Sequence, residues 1–137
     1  MNCNRTRRTG RGFTLVELVI VVLVLGIIAA AAAPRLFDTA NDARDNSTRH
    51  SLTVLRNALE LHRADNGNYP TEATITTALL PYLQGPFPAP QAGPNQNATT
   101  APSAENPIVT VVAGTDGWAY NEATGEIRVN EAAMIAW

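Results

Sequence analysis

The sequence has a single cysteine, Cys3, and no lysine among its 137 residues. One thiol excludes an intrachain disulfide and a metal site built from several thiolates. Nine prolines and nine glycines are too few for a collagen-like chain. With 45% hydrophobic residues, and ten arginines against twelve acidic residues, the averages are those of one modest soluble domain. These averages hide an uneven distribution, because residues 13–33 are almost continuously apolar and the remainder is polar.

Sequence patterns typical of enzymes are also absent. There is no glycine-rich phosphate loop, no Cys/His cluster and no serine with a plausible His and Asp constellation. The segment 35–137 carries six arginines and eleven acidic residues, with no basic aromatic patch of the kind that binds nucleic acid. The sequence therefore predicts neither an enzyme nor a nucleic-acid-binding protein.

The longest feature is the apolar run 13–33, FTLVELVIVVLVLGIIAAAAA. As a helix these 21 residues reach roughly 32 Å, enough to cross the hydrocarbon core of a bilayer. Four arginines precede the run and none lies within it (Arg5, Arg7, Arg8 and Arg11). This asymmetry predicts that the amino-terminal segment stays cytoplasmic and that everything after Pro34 lies outside.

Three interpretations of this run stay open on the residues alone. It could be a secretory signal cleaved at the alanine-rich tract 29–33, or a plain membrane anchor. Neither explains Glu17, since an uncompensated carboxylate in a spanning helix costs about 2.5 kcal/mol or more. The third interpretation is a specific role for Glu17.

The run Arg11-Gly12-Phe13-Thr14-Leu15-Val16-Glu17-Leu18 resembles the class III signal sequence of type IV pilins and type II secretion pseudopilins. The resemblance implies that a prepilin peptidase cuts between Gly12 and Phe13 and then N-methylates Phe13, giving methylphenylalanine. It also implies that Glu17, the fifth residue of the processed chain, serves assembly. Physically, the new α-amino group of one subunit and the Glu17 carboxylate of its neighbour would each offset the other's desolvation, and such a buried pair sets register better than it adds stability.

Gly26 and Pro34 match the helix-disturbing glycine and proline of the same family in type and spacing. Both residue types are also common in membrane helices generally. Because Pro34 lacks an amide and Gly26 is a poor helix former, the segment between them is predicted to loosen when subunits pack.

The resemblance implies a structural filament subunit of a type II secretion system, with protein transport as its purpose. Its expected partners are other copies of itself, other pilin-like subunits, the prepilin peptidase, an inner-membrane assembly platform and membrane lipid, but not nucleic acid. The chain would cross the bacterial cytoplasmic (inner) membrane once, with its head in the periplasm, before it enters the filament. The alternatives are a type IV pilus or DNA-uptake pilus subunit, and a soluble secreted binding module released by ordinary signal peptidase.

The expected fold is α+β and pilin-like, with a long amino-terminal helix packed against a small antiparallel sheet. We expect a cleaved leader at 1–12, a transmembrane and assembly helix at 13–34, an amphipathic external helix at 35–66 and a head at 67–137. The external helix has charges opposite an apolar half, and this charged face is expected to be solvated, with Asp45/Arg49 and Glu60/Arg63 at the spacing of helical ion pairs. Its predicted apolar half holds Leu36, Phe37, Ala40, Val54, Leu55, Ala58, Leu59 and Leu61.

Within the head, residues 84–107 hold six of the nine prolines and predict an irregular loop. Three strands are expected at 108–112, 118–120 and 126–129, the last two forming a hairpin over 118–129 around a turn with Gly125 at a bulge position. No cofactor is expected. Calcium is kept as an alternative because four residues of this region could surround it, although their spacing does not match an EF-hand (Asp116, Asn121, Glu122 and Glu126).

Overall fold

The computed structural model describes residues 12–137, and the chain folds into helices followed by a three-stranded sheet. This is the expected α+β, pilin-like combination, and that prediction is confirmed. The leader predicted at 1–12 lies outside the described residues except for Gly12. The elements are α1 (Leu15–Asn66), α2 (Ile75–Ala78), a 3₁₀ turn (Leu80–Tyr82), β1 (Thr100–Pro102), β2 (Trp118–Asn121) and β3 (Glu126–Val129).

The chain divides into two units, one ending at Thr39 and the other running from Ala40 to Trp137. In the first unit every described residue is exposed to its surroundings. α1 contains an 18-residue window with mean hydropathy 2.9 and none of it buried, so this helix is long and apolar enough to cross a membrane. α1 continues through Gly26 and Pro34 without a break.

In the second unit, the remaining part of α1 buries one stripe (Thr48, Leu52, Leu55, Ala58 and Leu59). The prediction that Leu61 belongs to this stripe is wrong, because its side chain is 53% exposed. The buried stripe covers a narrower arc of the helix surface than the apolar half predicted from the sequence. Leu61 lies about 200° around the helix from Leu59 and so falls outside the stripe. α1 ends where Gly67 takes φ 80° and its amide donates to the Arg63 carbonyl at 2.8 Å.

β2 lies between the other two strands, parallel to β1 and antiparallel to β3. The register pairs Trp118 with Val129 and Tyr120 with Ile127, so these four side chains share one face of the sheet. All four are at most 1% exposed and form the core together with the buried stripe of α1. The hairpin turn closes with Gly125 at φ 73°, and a Cβ there would overlap the ring of Tyr69.

The sheet differs from the expectation in two respects. The segment 84–107, expected to be irregular, contains β1, and this strand makes the sheet mixed instead of purely antiparallel. The strand expected at 108–112 does not form. Its amides are taken by side chains, since Val109 N and Thr110 N donate to Glu105 Oε2 and Val112 N donates to Asn130 Oδ1. Tertiary partners have overridden the β propensity of this valine-rich segment.

The helical ion pairs that the spacing of Asp45/Arg49 and Glu60/Arg63 allows are likewise not formed. Among residues 12–137 the one ion pair joins Arg128 to Glu126 at 2.8 Å. The two side chains Glu60 and Arg63 instead meet at the hydroxyl of Tyr69, at 2.8 and 2.9 Å. Helical pairs contribute only about 0.2 to 0.5 kcal/mol, so a tertiary partner readily displaces them.

Candidate functional site

Glu17 lies in the first turn of α1, where it forms a capping box with Thr14. The Thr14 amide and hydroxyl both donate to Glu17 Oε2 at 2.9 Å, and the Glu17 amide donates to Thr14 Oγ1 at 3.2 Å. This reciprocal arrangement satisfies donors that the start of a helix leaves without partners. The sequence pattern Thr-x-x-Glu is typical of a capping box. The sequence analysis considered only an intermolecular partner for Glu17 and did not predict the box. Within a single copy, the carboxylate is therefore hydrogen-bonded by its own helix.

The predicted cleavage position lies just ahead of this box. Phe13 is 85% exposed, and a Cβ added to Gly12 would meet no other atom within 4 Å. Both residues precede Leu15, the first residue of α1. Gly26 has similarly open surroundings, but it lies inside the helix.

The proline-rich segment is fastened to α1 through one buried threonine. Thr48 is 0% exposed, and its hydroxyl accepts hydrogen bonds from the amides of Gln91 and Ala92, both at 2.9 Å. The same hydroxyl donates to the Arg44 carbonyl one turn earlier. One side-chain oxygen thus fixes two backbone amides of a segment that has few of its own backbone partners.

The same segment reaches the sheet at β2. The indole of Trp118 donates to the Pro88 carbonyl at 2.9 Å. Next to it, a Cβ on Gly117 would overlap Asn97 O and the Pro90 ring, so only glycine allows this close approach. The sequence analysis predicted an irregular loop at residues 84–107, and it had no signal for Thr48 or Gly117 as the attachment points of this loop.

Three of the four calcium candidates bind other groups of the chain with their side chains. Glu126 binds Arg128 and the Ile108 amide, Asn121 accepts the Ala123 amide, and Glu122 accepts the Glu72 amide. Over residues 12–137, no group of three His, Cys, Asp or Glu side chains is placed to hold a metal. The fourth candidate, Asp116, contributes its carbonyl to Asn130.

Asn130 organises the loop that precedes β2. Its side chain is 0% exposed, its amide nitrogen donates to the carbonyls of Val112 and Asp116 at 3.0 Å, and its oxygen accepts the Val112 amide at 2.8 Å. Glu105 holds Val109 and Thr110 of the same loop through its carboxylate. The hydrogen bond from the Thr110 hydroxyl, and after it those from the Val109 and Thr110 amides, lower the pKa of the Glu105 carboxyl.

The last residue of the sequence lies in a cluster of arginines. Arg56 Nη2 and Arg128 Nη1 both donate to the main-chain oxygen of Trp137, at 2.7 and 2.9 Å. The guanidinium of Arg49 lies 3.7 Å above the centre of the Trp137 ring, a cation–π contact. This cluster covers the outer side of β3, where Arg56 also donates to Ile127 O at 3.2 Å.

Comparison with known proteins supports the resemblance seen in the amino-terminal motif and adds a second match that includes much of the head. The model of the prokaryotic N-terminal methylation motif matches residues 7–33, and that of type II secretion system protein G matches residues 35–119. A type II secretion system core protein G of Vibrio cholerae is 31% identical over 131 residues, which are 86% of this chain and 89% of that protein.

Proteins with the same name in Klebsiella michiganensis and Escherichia coli K12 are each 32% identical, over 74 and 78 residues. These matches cover 54% and 53% of this chain, and this chain spans only about half of each relative, 52% and 54%. No solved structure matches the chain.

Proposed function

The chain belongs to the type II secretion system protein G family, and we propose that it is a processed filament subunit that polymerises through its amino-terminal helix. Membership implies a pilin-like multi-subunit assembly and a structural role, and the apolar helix indicates anchoring in the inner membrane. The observation that carries the proposal is the exposed apolar surface of α1 over residues 15–39, which begins with a carboxylate one turn from the predicted new amino terminus. Such a surface requires lipid or other helices as its environment.

In this proposal the prepilin peptidase hydrolyses the Gly12–Phe13 bond. Hydrolysis leaves a carboxylate on the leader and a free amine on Phe13, which then receives a methyl group. The open surroundings of Gly12 and the exposure of Phe13 support access by such an enzyme. The four arginines of the leader support a cytoplasmic amino terminus, a single crossing and a periplasmic head.

Glu17 then directs docking. In one copy its carboxylate is hydrogen-bonded by Thr14, which reduces the cost of holding a charge in an apolar segment. In the filament the cationic amine of a neighbouring Phe13 replaces that partner, and the opposite charges fix the axial register of the two helices. Gly26 and Pro34 allow the helix between them to loosen as subunits pack.

The partners in this proposal are other copies, further pilin-like subunits, the prepilin peptidase, an inner-membrane assembly platform and lipid. Neither catalysis nor nucleic-acid binding belongs to the proposal, since the external segment holds eleven acidic residues against six arginines. The family match over residues 35–119 favours a secretion pseudopilus over a type IV or DNA-uptake pilus.

The mature amino terminus tests the proposal directly. We expect sequencing and intact mass of the membrane-bound protein to show a chain that begins at N-methylated Phe13. Gly12→Val is expected to leave the leader attached, because it changes the residue at the cleaved bond. Gly26→Val, at an equally open glycine inside the helix, is the matched control and should leave cleavage unchanged. A mature chain that begins near Pro34 or Arg35 would instead support a secreted module and would contradict the proposal.

We also propose that the head needs no calcium. The amide of Asn130 donates to the carbonyls of Val112 and Asp116 and so occupies two oxygens that could otherwise bind a cation. We expect millimolar calcium to leave Tm unchanged relative to EDTA, and isothermal titration to record no heat of binding. Saturation at about 100 times Kd would add about 2.7 kcal/mol, so a clear rise in Tm would contradict this proposal.

A further inference from the structure

The junction between α1 and the rest of the head is formed by Asn66 and Gly67. Asn66 is the last residue of α1, and both residues are exposed. Of the twelve asparagines in the sequence, Asn66 is the only one that a glycine follows. A Cβ added to Gly67 would meet no other atom within 4 Å, so the space around this backbone position is open. Asparagine is thermolabile, and a following glycine leaves its side-chain carbonyl carbon sterically open to attack by the next backbone nitrogen.

Three hydrogen bonds hold this junction closed. The Gly67 amide donates to the Arg63 carbonyl at 2.8 Å. The side-chain nitrogen of Asn66, Nδ2, donates to the His62 carbonyl at 3.0 Å and to the Tyr82 hydroxyl at 3.3 Å. These bonds engage both nitrogens that an attack of Gly67 on Asn66 involves, the one that attacks and the one that leaves. The reaction therefore requires the end of α1 to open first, and the ends of a helix are the parts that fray.

We propose that Asn66–Gly67 is a site of spontaneous deamidation whose rate is set by opening of the end of α1. The Gly67 nitrogen loses its proton to hydroxide and attacks Cγ of Asn66, so that a bond forms between these two atoms. The Cγ–Nδ2 bond then breaks, and Nδ2 leaves as ammonia after taking up a proton from water. Water adds to either carbonyl of the resulting succinimide ring and opens it to aspartate or isoaspartate. Water and hydroxide are the only co-reactants, and no atom is oxidised or reduced.

The product is unable to rebuild the closed end of α1. A carboxylate at position 66 has no N–H to donate to the His62 carbonyl, so two acceptors face each other. The Tyr82 hydroxyl already donates its proton to Asp65 Oδ2 at 2.9 Å and has none for a second carboxylate. The new negative charge also lies next to Asp65 and at the carboxyl end of a helix, where the helix dipole disfavours it. An opening that leads to reaction is thus recorded permanently as a weakened helix end.

Deamidation rates of the full chain test this site and its control by the fold. The chain is incubated in detergent with the head either folded or unfolded by urea, and peptide mapping by mass spectrometry follows the conversion of each asparagine. We expect Asn66 to convert at least about tenfold faster in urea, because the folded chain reacts only through its opened fraction. Asn68 is the internal control, since it is also exposed but is followed by Tyr69, and it should remain an amide in both samples. Equal rates with and without urea, or no conversion of Asn66 in urea, overturn the proposal.

Asn66→Asp tests the consequence of the reaction. We expect it to lower Tm below the wild-type value, because it introduces the charge and removes the donor to the His62 carbonyl. Asn57→Asp is the matched control, because it makes the same change at an exposed position of α1 away from the helix end, and it should keep Tm close to the wild-type value. Equal Tm values for the two variants would show that a carboxylate at position 66 does not weaken the helix end. The reaction needs neither cleavage at Phe13 nor a filament, so failure of either test leaves the proposed function standing.

Discussion

Glu17→Ala is expected to lower filament yield by about 100-fold or more while leaving membrane insertion and cleavage at Gly12 intact. Removing one partner of a buried ion pair costs about 3 to 5 kcal/mol, because the other charge stays in a medium of low dielectric constant without compensation. Here the uncompensated charge would be the amine of a neighbouring Phe13. Counting sheared filaments by electron microscopy, with the total subunit measured by immunoblot, gives the yield per subunit.

Two further variants separate the intermolecular charge from the capping box. Glu17→Gln keeps an oxygen that can accept from Thr14 but carries no charge, so it is expected to assemble as poorly as Glu17→Ala. Thr14→Ala removes the side-chain donor and keeps the carboxylate, so it is expected to retain most of the assembly. If Glu17→Gln assembled at the wild-type rate and yield, the charge would not be the operative feature. Normal assembly by Glu17→Ala would remove any docking role.

Thr48→Val is expected to destabilise the head by about 3 kcal/mol, out of a total of about 5 to 15 kcal/mol for a typical domain. Valine has nearly the shape of threonine, so packing is kept. The buried amide of Ala92 and the partly buried amide of Gln91 lose their common acceptor, and a buried donor left without a partner costs about 1 to 3 kcal/mol. We expect Tm of the full chain in detergent to fall by at least about 10 °C, followed through the near-ultraviolet circular dichroism of Trp118.

Thr48→Ser is the matched control for this substitution, because it retains the hydroxyl and loses only a methyl group. It is expected to cost about 1 kcal/mol, the value of one buried carbon. Equal destabilisation by serine and valine would show that the methyl group matters and the shared hydroxyl does not.

Several parts of the fold were readable from local chemistry. The end of α1 followed from Gly67, which supplies the positive φ that the helix terminus needs. The hairpin followed from alternating strands around a turn with Gly125. Both features depend on neighbours within a few residues, and the chain carries that information at the site itself.

Features that depend on distant partners were predicted poorly. β1 pairs with β2 although its residues lie in a proline-rich segment without strand periodicity. Arg49 has the helical spacing to bind Asp45 and stacks on Trp137 instead, because an exposed helical ion pair is weak and a flat aromatic ring is a better partner for a guanidinium. Which arginine meets which acceptor is decided by how the chain packs, and no local pattern encodes it.

By itself the sequence determined the character of the amino-terminal helix. A continuous apolar run behind four arginines, with one carboxylate near its start, is a local property, because such a helix makes its backbone hydrogen bonds within itself and presents its side chains outward. Only the tertiary structure decided how the head is built, namely that one threonine hydroxyl holds the proline-rich segment and that the indole of Trp118 binds the Pro88 carbonyl of that segment. These arrangements need residues far apart in the chain to meet, and the entropy lost in bringing them together is recovered only when the whole core forms.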